Sequence, residues 1–315
     1  MSEVALSVLI ATRDRAKLLA DTLNCLKDQV ISCGTAWEII VVDNGSSDDT
    51  PEVVGKCSDG LRLIYLKESK PGKSRALNRA LDIAQGEILV FTDDDVIPSP
   101  LWLSELYKAS QSWNGYNIFC GPIIPSYPRH LPEWFDTKHP YTCPAFGWFD
   151  PIAPEGPLPR PLFPFGANFA VRSKIMSGVK FCEKHGPHDN EPTGEDAELL
   201  MRLARKGERF IYVPSASIKH IVDRHKIDFK WFNQRAFRHG RQRARLHMDR
   251  SSMRLWNVPW YLWIQLLKAW VGYAASILRG KPSRFEKGWY LNRLRGIRFE
   301  YCLMAKEGFV VRTDK

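Results

Sequence analysis

Short uninterrupted runs of apolar residues recur in the first hundred positions and alternate with amphipathic segments. The runs show no polar alternation and are rich in branched side chains, which is typical of strands buried on both faces of a parallel sheet. They lie at residues 6–11, 37–42, 61–66 and 88–91. The intervening apolar periodicity predicts helices at about 16–29 and 76–84. This alternation predicts an α/β fold with a Rossmann-like, doubly wound, mostly parallel sheet.

The pattern beyond residue 190 predicts further elements of both kinds. Residues 194–207 place acids in the first turn, bases in the last turn and a glycine at the end, as expected of a helix. Residues 210–214 predict a strand that continues through 215–220 and ends at His220. In the tail, 229–250 is predicted to form a very basic helix.

Residues 121–165 differ in composition from the rest of the chain. They hold 12 of the 21 prolines, interleaved with aromatic residues. Proline excludes both a helix interior and a central strand, so we expect neither in this segment. Long loops inside compact domains are usually functional or disordered. The aromatic residues favour a loop packed over a substrate cleft, the alternative being a surface decoration.

Polar side chains follow the carboxyl ends of three predicted strands. Thr12 and Arg13 follow the first strand, Asp43 ends the second, and Asp93–Asp95 follow the fourth. In open α/β sheets, ligands bind beyond the carboxyl ends of the strands. The topology alone therefore predicts that these residues meet at one edge.

The run Asp93-Asp94-Asp95 is the most informative of these sites. Three adjacent carboxylates repel one another if they are ionised and unpaired, and a bound cation relieves the repulsion. Mg²⁺ and Mn²⁺ take oxygen ligands, typically one or two carboxylates together with substrate phosphates. The run predicts a metal–diphosphate site, the alternative being a solvated acidic turn. By contrast, Gly72-Lys73-Ser74 does not complete a P-loop, because Lys67 occupies the position of the first glycine.

Charge is unevenly distributed along the 315 residues. Residues 219–315 hold 22 lysines and arginines against 7 acids, whereas 1–218 hold 23 against 28. A basic tail on an acidic body predicts that the tail meets nucleic acid, a lipid surface or a phosphorylated acceptor. No nucleic-acid motif accompanies the charge, so we expect no nucleic-acid partner.

Cysteine usage and the first residues bear on location. The seven cysteines show neither a CxxC pair nor zinc-type spacing, which predicts reduced thiols. No signal peptide is visible at the start. We therefore expect a cytoplasmic location.

Residues 258–278 form an apolar stretch with one charge, Lys268, and several aromatic residues. Its 21 residues are long enough to span a bilayer. The central lysine and the flanking arginines instead favour a helix lying in an anionic membrane interface. This predicts peripheral attachment to the cytoplasmic face. Packing on the protein's own core is a third alternative.

Five segments together resemble the successive signatures of family 2 glycosyltransferases. They occur in the expected order and spacing at 7–15, 41–50, 71–78, 92–95 and 194–196. The resemblance runs from about residue 5 to 245. It implies a GT-A fold, a nucleotide-sugar donor (a UDP-sugar by default), a divalent metal, inversion at the anomeric carbon and a glycan or lipid-linked acceptor. It is typical of polysaccharide and cell-envelope biosynthesis.

The resemblance also implies a domain division. Residues 1–228 would form the glycosyltransferase domain, in which 1–100 is the nucleotide-binding half and 121–165 the acceptor-side loop. Residues 229–315 would form a basic, aromatic, helical extension. The processive Gln-x-x-Arg-Trp motif is absent, so a single transfer per acceptor is expected.

Position by position, the resemblance implies roles in donor binding. Asp43 would hydrogen-bond the nucleotide base, with Thr12 and Arg13 beside it. Arg75 would lie near the base and the diphosphate. Asp94 would meet the ribose.

The same resemblance implies the metal site and the base. Asp95 would bind Mn²⁺ or Mg²⁺, with Asp93 assisting and His220 as a further ligand. Asp196 would be the catalytic base, positioned by Glu195. A carboxylate within hydrogen-bond reach of an acceptor hydroxyl can remove its proton, and a metal can stabilise the leaving diphosphate.

Two other functions compete with this prediction. A nucleotidyltransferase on a similar sheet would need a glycine-rich loop after the first strand, and residues 12–15 contain no glycine. A non-catalytic, membrane-bound nucleotide or glycan sensor would be expected to lack the carboxylates that this sequence retains.

Overall fold

The computed structural model describes residues 4–31, 35–159, 162–183, 194–247, 253–279 and 284–307. Its strands are β1 (Leu6–Thr12), β2 (Trp37–Asp43), β3 (Leu63–Lys67), β4 (Ile88–Thr92), β5 (Val96–Pro98), β6 (Ile118–Cys120), β7 (Ile123–Ser126), β8 (Gly156–Pro157), β9 (Phe169–Arg172), β10 (Phe210–Tyr212), β11 (Ile218–Ile221), β12 (Arg254–Leu255) and β13 (Val258–Pro259). Its α-helices are α1 (Ala16–Lys27), α2 (Thr50–Cys57), α3 (Lys73–Leu81), α4 (Trp102–Ser112), α5 (Thr142–Ala145), α6 (Ser173–Met176), α7 (Glu195–Arg205), α8 (Phe229–Leu246), α9 (Trp260–Leu278) and α10 (Arg284–Lys306), and Arg224–Lys226 is a 3₁₀ turn.

The chain divides into two compact units. The first comprises Met1–Ser126 and Phe146–Ile221, and the second comprises Tyr127–Ala145 and Val222–Lys315. The boundary predicted at residue 228 separates a catalytic domain from its extension by function, which this structural division does not test, so it stays a prediction.

The first unit is built on a large sheet whose described strands run in the order β3-β2-β1-β4-β9-β6-β10-β8. Strands β3, β2, β1 and β4 are parallel, and β10 is parallel to β6. Strand β9 runs antiparallel between β4 and β6. The predicted α/β fold with a mostly parallel sheet and a helical C-terminal region is confirmed.

The register of this sheet explains why the polar residues converge. Strands β1, β2 and β4 are almost wholly buried, as their continuous apolar runs predict. Thr12 lies opposite Asp43, and Ile10 lies opposite Thr92. The residues that follow these strands therefore emerge at the same edge of the sheet.

A small sheet in the order β5-β11-β7 corrects one prediction. Residues 210–220 were expected to form one strand, but β10 joins the large sheet and β11 the small one. The chain turns between them, where Pro214 interrupts the strand and the Ala216 N–H donates to the Val213 carbonyl at 3.1 Å. In β11, His220 lies opposite Val96, directly after the acidic run.

The proline-rich segment is only partly as predicted. Its described strands β7 and β8 each lie at the edge of a sheet, as proline requires. The exclusion of a helix was wrong, because α5 forms a single turn. Pro144 is tolerated there because first-turn N–H groups have no partner within a helix. Trp134 packs with ring centroids 5.3 Å from both Phe229 and Phe285, within the second unit.

Helices α8 and α10 of the second unit approach each other backbone to backbone. A Cβ on Gly240 would lie 2.0 Å from the Arg293 carbonyl oxygen, and one on Gly296 would lie 2.0 Å from that of Phe237. Beside this contact, Arg241 and Arg245 both donate to the fully buried carboxylate of Glu300. The predicted helix 229–250 ends at Leu246, and its residues 248–250 lie outside the described chain.

Helix α9 has two contrasting faces. Leu262, Ala269 and Ser276 repeat every seven residues and are buried, Leu262 and Ala269 in the hydrophobic cluster of the second unit. The helix thus packs on its own unit along one face, as the third alternative proposed. No described helix combines the length and the apolar character that crossing a membrane requires.

We predict that Glu300→Gln lowers the stability of the second unit by about 3 kcal/mol, because it leaves two arginines in a buried site without their counter-charge. Chemical unfolding followed by tryptophan fluorescence measures this change. Glu307→Gln, at an exposed position just past the same helix, is the control and should change little. Equal stability of the two variants would show that groups other than Glu300 compensate the charges of Arg241 and Arg245.

Candidate functional site

Helix α1 orders the backbone of the acidic run. The hydroxyl oxygen of Thr22 lies 3.0 Å from the carbonyl oxygen of Asp94 and 2.9 Å from that of Val96. It also accepts the N–H of Val96 at 3.1 Å. Because Thr22 is fully buried, water does not compete for these bonds.

Arg15 neutralises part of the acidic run. Its guanidinium donates to the carboxylates of both Asp94 and Asp95, and Thr12 donates to Asp94 at 2.7 Å. Burial nevertheless raises the pKa of Asp94 to about 6, against the lowering effect of Arg15. Arg15 was not among the predicted site residues, although its position just after β1 was a usable signal.

Lys73 is a second cation that sequence reasoning missed. Its ammonium lies 2.5 Å from Asp93 and 3.4 Å from Glu195. Burial alone would lower the pKa of Lys73, but Asp93, Glu195 and Asp196 raise it further than burial lowers it, so the ammonium stays charged. Burial likewise works to raise the pKa of Asp93, and Lys73 holds it below its usual value.

The position of Lys73 depends on where α3 begins. This helix was expected from residue 76 but starts at Lys73. Asn44 fixes the preceding loop, since its side chain accepts the Gly72 N–H at 2.6 Å and donates to the Lys70 carbonyl at 2.8 Å. Gly72 has a φ of 136°, which a residue with a side chain rarely adopts.

Asp93, Asp95 and His220 form a group that fits a divalent cation. Their ligand atoms all lie within 4.8 Å of one another. The His220 Nε2 is 3.2 Å from an Asp95 oxygen, and the buried Nδ1 of His220 has no hydrogen-bond partner among the described residues. Two carboxylates and one imidazole are ligands that divalent transition metals accept, whereas Mg²⁺ usually takes oxygen ligands alone.

Asp196 lies in the first turn of α7, next to Glu195. Gly166 makes room for it, because a Cβ at that position would lie 2.0 Å from an oxygen of the Asp196 carboxylate. Burial, together with the charge of Glu195, raises the pKa of Asp196 to about 6. Such a carboxylate is ionised at neutral pH and basic enough to accept a proton.

The remaining predicted residues lie in different surroundings. Asp43 is buried, where it accepts the Ser46 N–H at 2.7 Å and the Tyr65 hydroxyl at 2.6 Å. Arg13 is half exposed and has Asp14 at 3.6 Å. Arg75 pairs with Glu183 at 3.1 Å. The structure thus brings Thr12, the three aspartates, Glu195, Asp196 and His220 together, whereas the described contacts of Arg13 and Arg75 are with other acids.

The family model described as glycosyl transferase family 2 matches residues 7–169, slightly more than half of the chain. The chain belongs to glycosyl transferase family 2. This confirms the resemblance found in the sequence, and the sensor and nucleotidyltransferase alternatives are not favoured. "Glycosyltransferase AglE" of Haloferax volcanii is 30% identical to this glycosyltransferase over 228 residues, which cover 66% of this chain and 73% of AglE.

Solved structures show the same fold. The S. aureus TarS fragment 1–349 in complex with UDP-GlcNAc superposes with a TM-score of 0.57 at 14% identity, covering 97% of this chain and 92% of that one. The mannosyltransferase PcManGT of Pyrobaculum calidifontis, in complex with GDP-Man and Mn²⁺, gives a TM-score of 0.51 at 19% identity, with 96% and 75% covered. The predicted GT-A fold is confirmed.

We predict that the protein binds Mn²⁺ without any nucleotide. Asp95→Asn should weaken this binding by about tenfold or more, because replacing even a residue that only hydrogen-bonds to a metal ligand lowers metal affinity by about tenfold. Isothermal titration calorimetry measures the affinity. Asp59→Asn is the matched control, since it removes one exposed carboxylate elsewhere. His220→Ala should also weaken binding. The same Mn²⁺ affinity in all four proteins would show that the ion binds elsewhere.

Proposed function

We propose that the protein is an inverting, metal-dependent glycosyltransferase that moves a sugar from a nucleotide-diphosphate donor to a hydroxyl of a glycan or lipid-linked acceptor. One observation carries this proposal. A group of possible metal ligands, the half-buried Asp93 and His220 with the buried Asp95, lies near a separate carboxylate, Asp196, that has a raised pKa. An inverting transfer needs both parts, one for the leaving diphosphate and one for the proton of the acceptor.

The donor is proposed to be a UDP-sugar, in keeping with the UDP-GlcNAc bound by TarS. Asp43, with Thr12 and Arg13, would contact the base, and Asp94 the ribose. In the structure both oxygens of Asp43 and of Asp94 already accept hydrogen bonds. Donor binding at these two residues therefore requires that protein partners be exchanged or shared.

The leaving group requires positive charge. Asp93, Asp95 and His220 would hold Mn²⁺ or Mg²⁺, which supplies charge to the departing diphosphate when bound. Two cations of the chain lie beside these ligands: Lys73 on Asp93, and Arg15 on Asp95. Lys73 would add hydrogen-bond donors for phosphate oxygens, and Arg75 would do so after exchanging its ion pair with Glu183.

The acceptor hydroxyl would lose its proton to Asp196. The Lys73 ammonium lies 3.4 Å from Glu195, and we assign the positioning role to Glu195. This leaves Asp196 able to accept a proton on the face of the sugar opposite the leaving group. Inversion at the anomeric carbon follows from a single displacement of this kind.

We predict that Asp196→Asn lowers kcat by about a hundredfold or more, because an amide cannot act as the base. The Mn²⁺-dependent thermal shift with UDP should stay as in the wild type, since the variant keeps the donor site. In the wild type, kcat/KM should fall about tenfold per pH unit below about pH 6, as Asp196 becomes protonated. UDP release from UDP-sugars measures the rates.

A glycine pair provides the control for this assignment. Gly166→Ala should displace the Asp196 carboxylate and reduce kcat, whereas Gly55→Ala, whose Cβ would meet no atom within 4 Å, should leave kcat unchanged. Full activity of Asp196→Asn would exclude Asp196 as the base. Failure of UDP, GDP and dTDP alike to shift the melting temperature would exclude the proposed donor class.

We also propose that α9 attaches the protein to an anionic membrane surface. Trp260, Ile264, Leu267, Val271 and Leu278 are exposed and, at 3.6 residues per turn, form one stripe opposite the buried Leu262 and Ala269. An exposed apolar stripe with tryptophan in a strongly basic region fits a helix in the plane of the interface. The cytoplasmic face, with its anionic lipids, is the proposed site.

Co-sedimentation with phosphatidylcholine vesicles containing phosphatidylglycerol tests this attachment. We predict that Leu267→Ser with Val271→Ser abolishes it, because these side chains are 64% and 52% exposed and lie at the centre of the stripe. Ile152→Ser removes an even more exposed apolar side chain, of the first unit, and should have no effect. Undiminished sedimentation of the double variant would contradict the proposal.

A further inference from the structure

Strands β12 and β13 of the second unit form a hairpin whose two-residue turn consists of Trp256 and Asn257. Both residues have a positive φ, of 52° and 65°, as a type I′ turn requires. Asparagine is common in such a turn, whereas a bulky side chain at a positive φ is an outlier that raises the energy of the backbone. The turn therefore carries a tryptophan where the backbone disfavours one.

Packing within the protein covers little of this tryptophan. The ring of Trp256 meets that of Trp263 edge to face, with 5.5 Å between the ring centroids, yet Trp256 stays 73% exposed. Strained backbone persists chiefly at functional sites. The combination of strain and exposure indicates that the ring of Trp256 contacts something outside the protein chain.

Two hydrogen bonds hold the hairpin against the start of α9. The backbone N–H of Trp260 donates to the Met253 carbonyl at 3.0 Å. The indole N–H of Trp263 donates to the Leu255 carbonyl at 3.1 Å. Met253, Leu255 and Trp260 are 81%, 46% and 52% exposed. The hairpin thus adds its exposed apolar side chains to the Trp260 end of the stripe on α9.

Positive charge lies beside this apolar end. The guanidinium of Arg298 lies over the ring of Trp263, 5.5 Å from its centroid. Arg254, within the hairpin, lies over the ring of Tyr301 at 5.2 Å. Tryptophan favours the headgroup region of a bilayer, and cations near the surface are attracted to anionic lipids. An exposed tryptophan flanked by guanidinium groups therefore fits an anionic membrane.

We propose that the hairpin inserts the ring of Trp256 into the headgroup region of an anionic membrane and so orients α9 on its surface. This inference rests on the membrane attachment proposed above for α9, and it names the residue that enters the lipid. Burial in lipid removes from water the ring that the protein leaves exposed, which offsets the strain of the turn. Trp270, seven residues after Trp263 and 61% exposed, lies on the same flank of α9 and would face the headgroups too.

Titration of the full chain with vesicles of phosphatidylcholine and phosphatidylglycerol tests the insertion. Trp256→Asn should weaken vesicle binding by about tenfold, the effect of withdrawing one large apolar side chain from lipid. Without lipid, its midpoint of thermal unfolding should not fall, because asparagine fits the turn without strain. A residue with only a structural role would show the reverse. Asn257→Gly alters the same turn but keeps the ring, so this matched control should bind vesicles as the wild type does.

Fluorescence quenching by lipids brominated near the headgroup end of their acyl chains reports where the ring lies. These lipids should quench the wild type more than Trp256→Asn. Equal vesicle binding and equal quenching of the two proteins would overturn the inference and leave the attachment by α9 standing, whereas a wild type that binds no vesicles would overturn both. A dimer that is lost in Trp256→Asn while vesicle binding is unchanged would assign the turn to a second copy of the chain instead. The Mn²⁺-dependent UDP shift of Trp256→Asn should equal that of the wild type and reports separately on the donor site.

Discussion

An imbalance of charge at the ends of the buried strands governs the candidate site. In the described part of the chain, five carboxylates meet around two cationic side chains, Lys73 and Arg15. These two cations cannot neutralise all five acids, and burial prevents water from screening the remainder. The fold tolerates this deficit because Thr22 and Thr12 hold Asp94 in place through its backbone and its carboxylate. A site of this kind suits a divalent cation.

In the second unit the buried charges are mostly positive rather than negative. Where Glu300 is available, Arg241 and Arg245 are neutralised within the protein. At His239 and Arg293, by contrast, burial and neighbouring arginines lower the pKa of both residues.

Most of the strands in the first half of the first unit could be predicted from the sequence, because they are continuous apolar runs. The polar residues at their ends could be predicted in the same way. Asp93–Asp95 could be placed at a sheet edge on those grounds alone. Lys73 could not, since the start of α3 depends on the hydrogen bond that the Gly72 N–H donates to Asn44, 28 residues earlier in the sequence. The division of 210–220 between two sheets and the role of Gly166 likewise depend on contacts that no local pattern encodes. In the tail, composition predicted apolar and basic helices, but the pairing of Glu300 with α8 arises only from packing.

The hydrogen bonds of Thr22 have a consequence for the kinetics of metal exchange. In small metalloproteins whose chain orders only around the ion, loading includes the loss of backbone conformational entropy. Here a buried hydroxyl already fixes the peptide groups of Asp94 and Val96. An arriving ion therefore has only side-chain rotamers and its own water shell to rearrange. Occupancy should track the free concentration of the ion rapidly and reversibly, without a slow refolding phase.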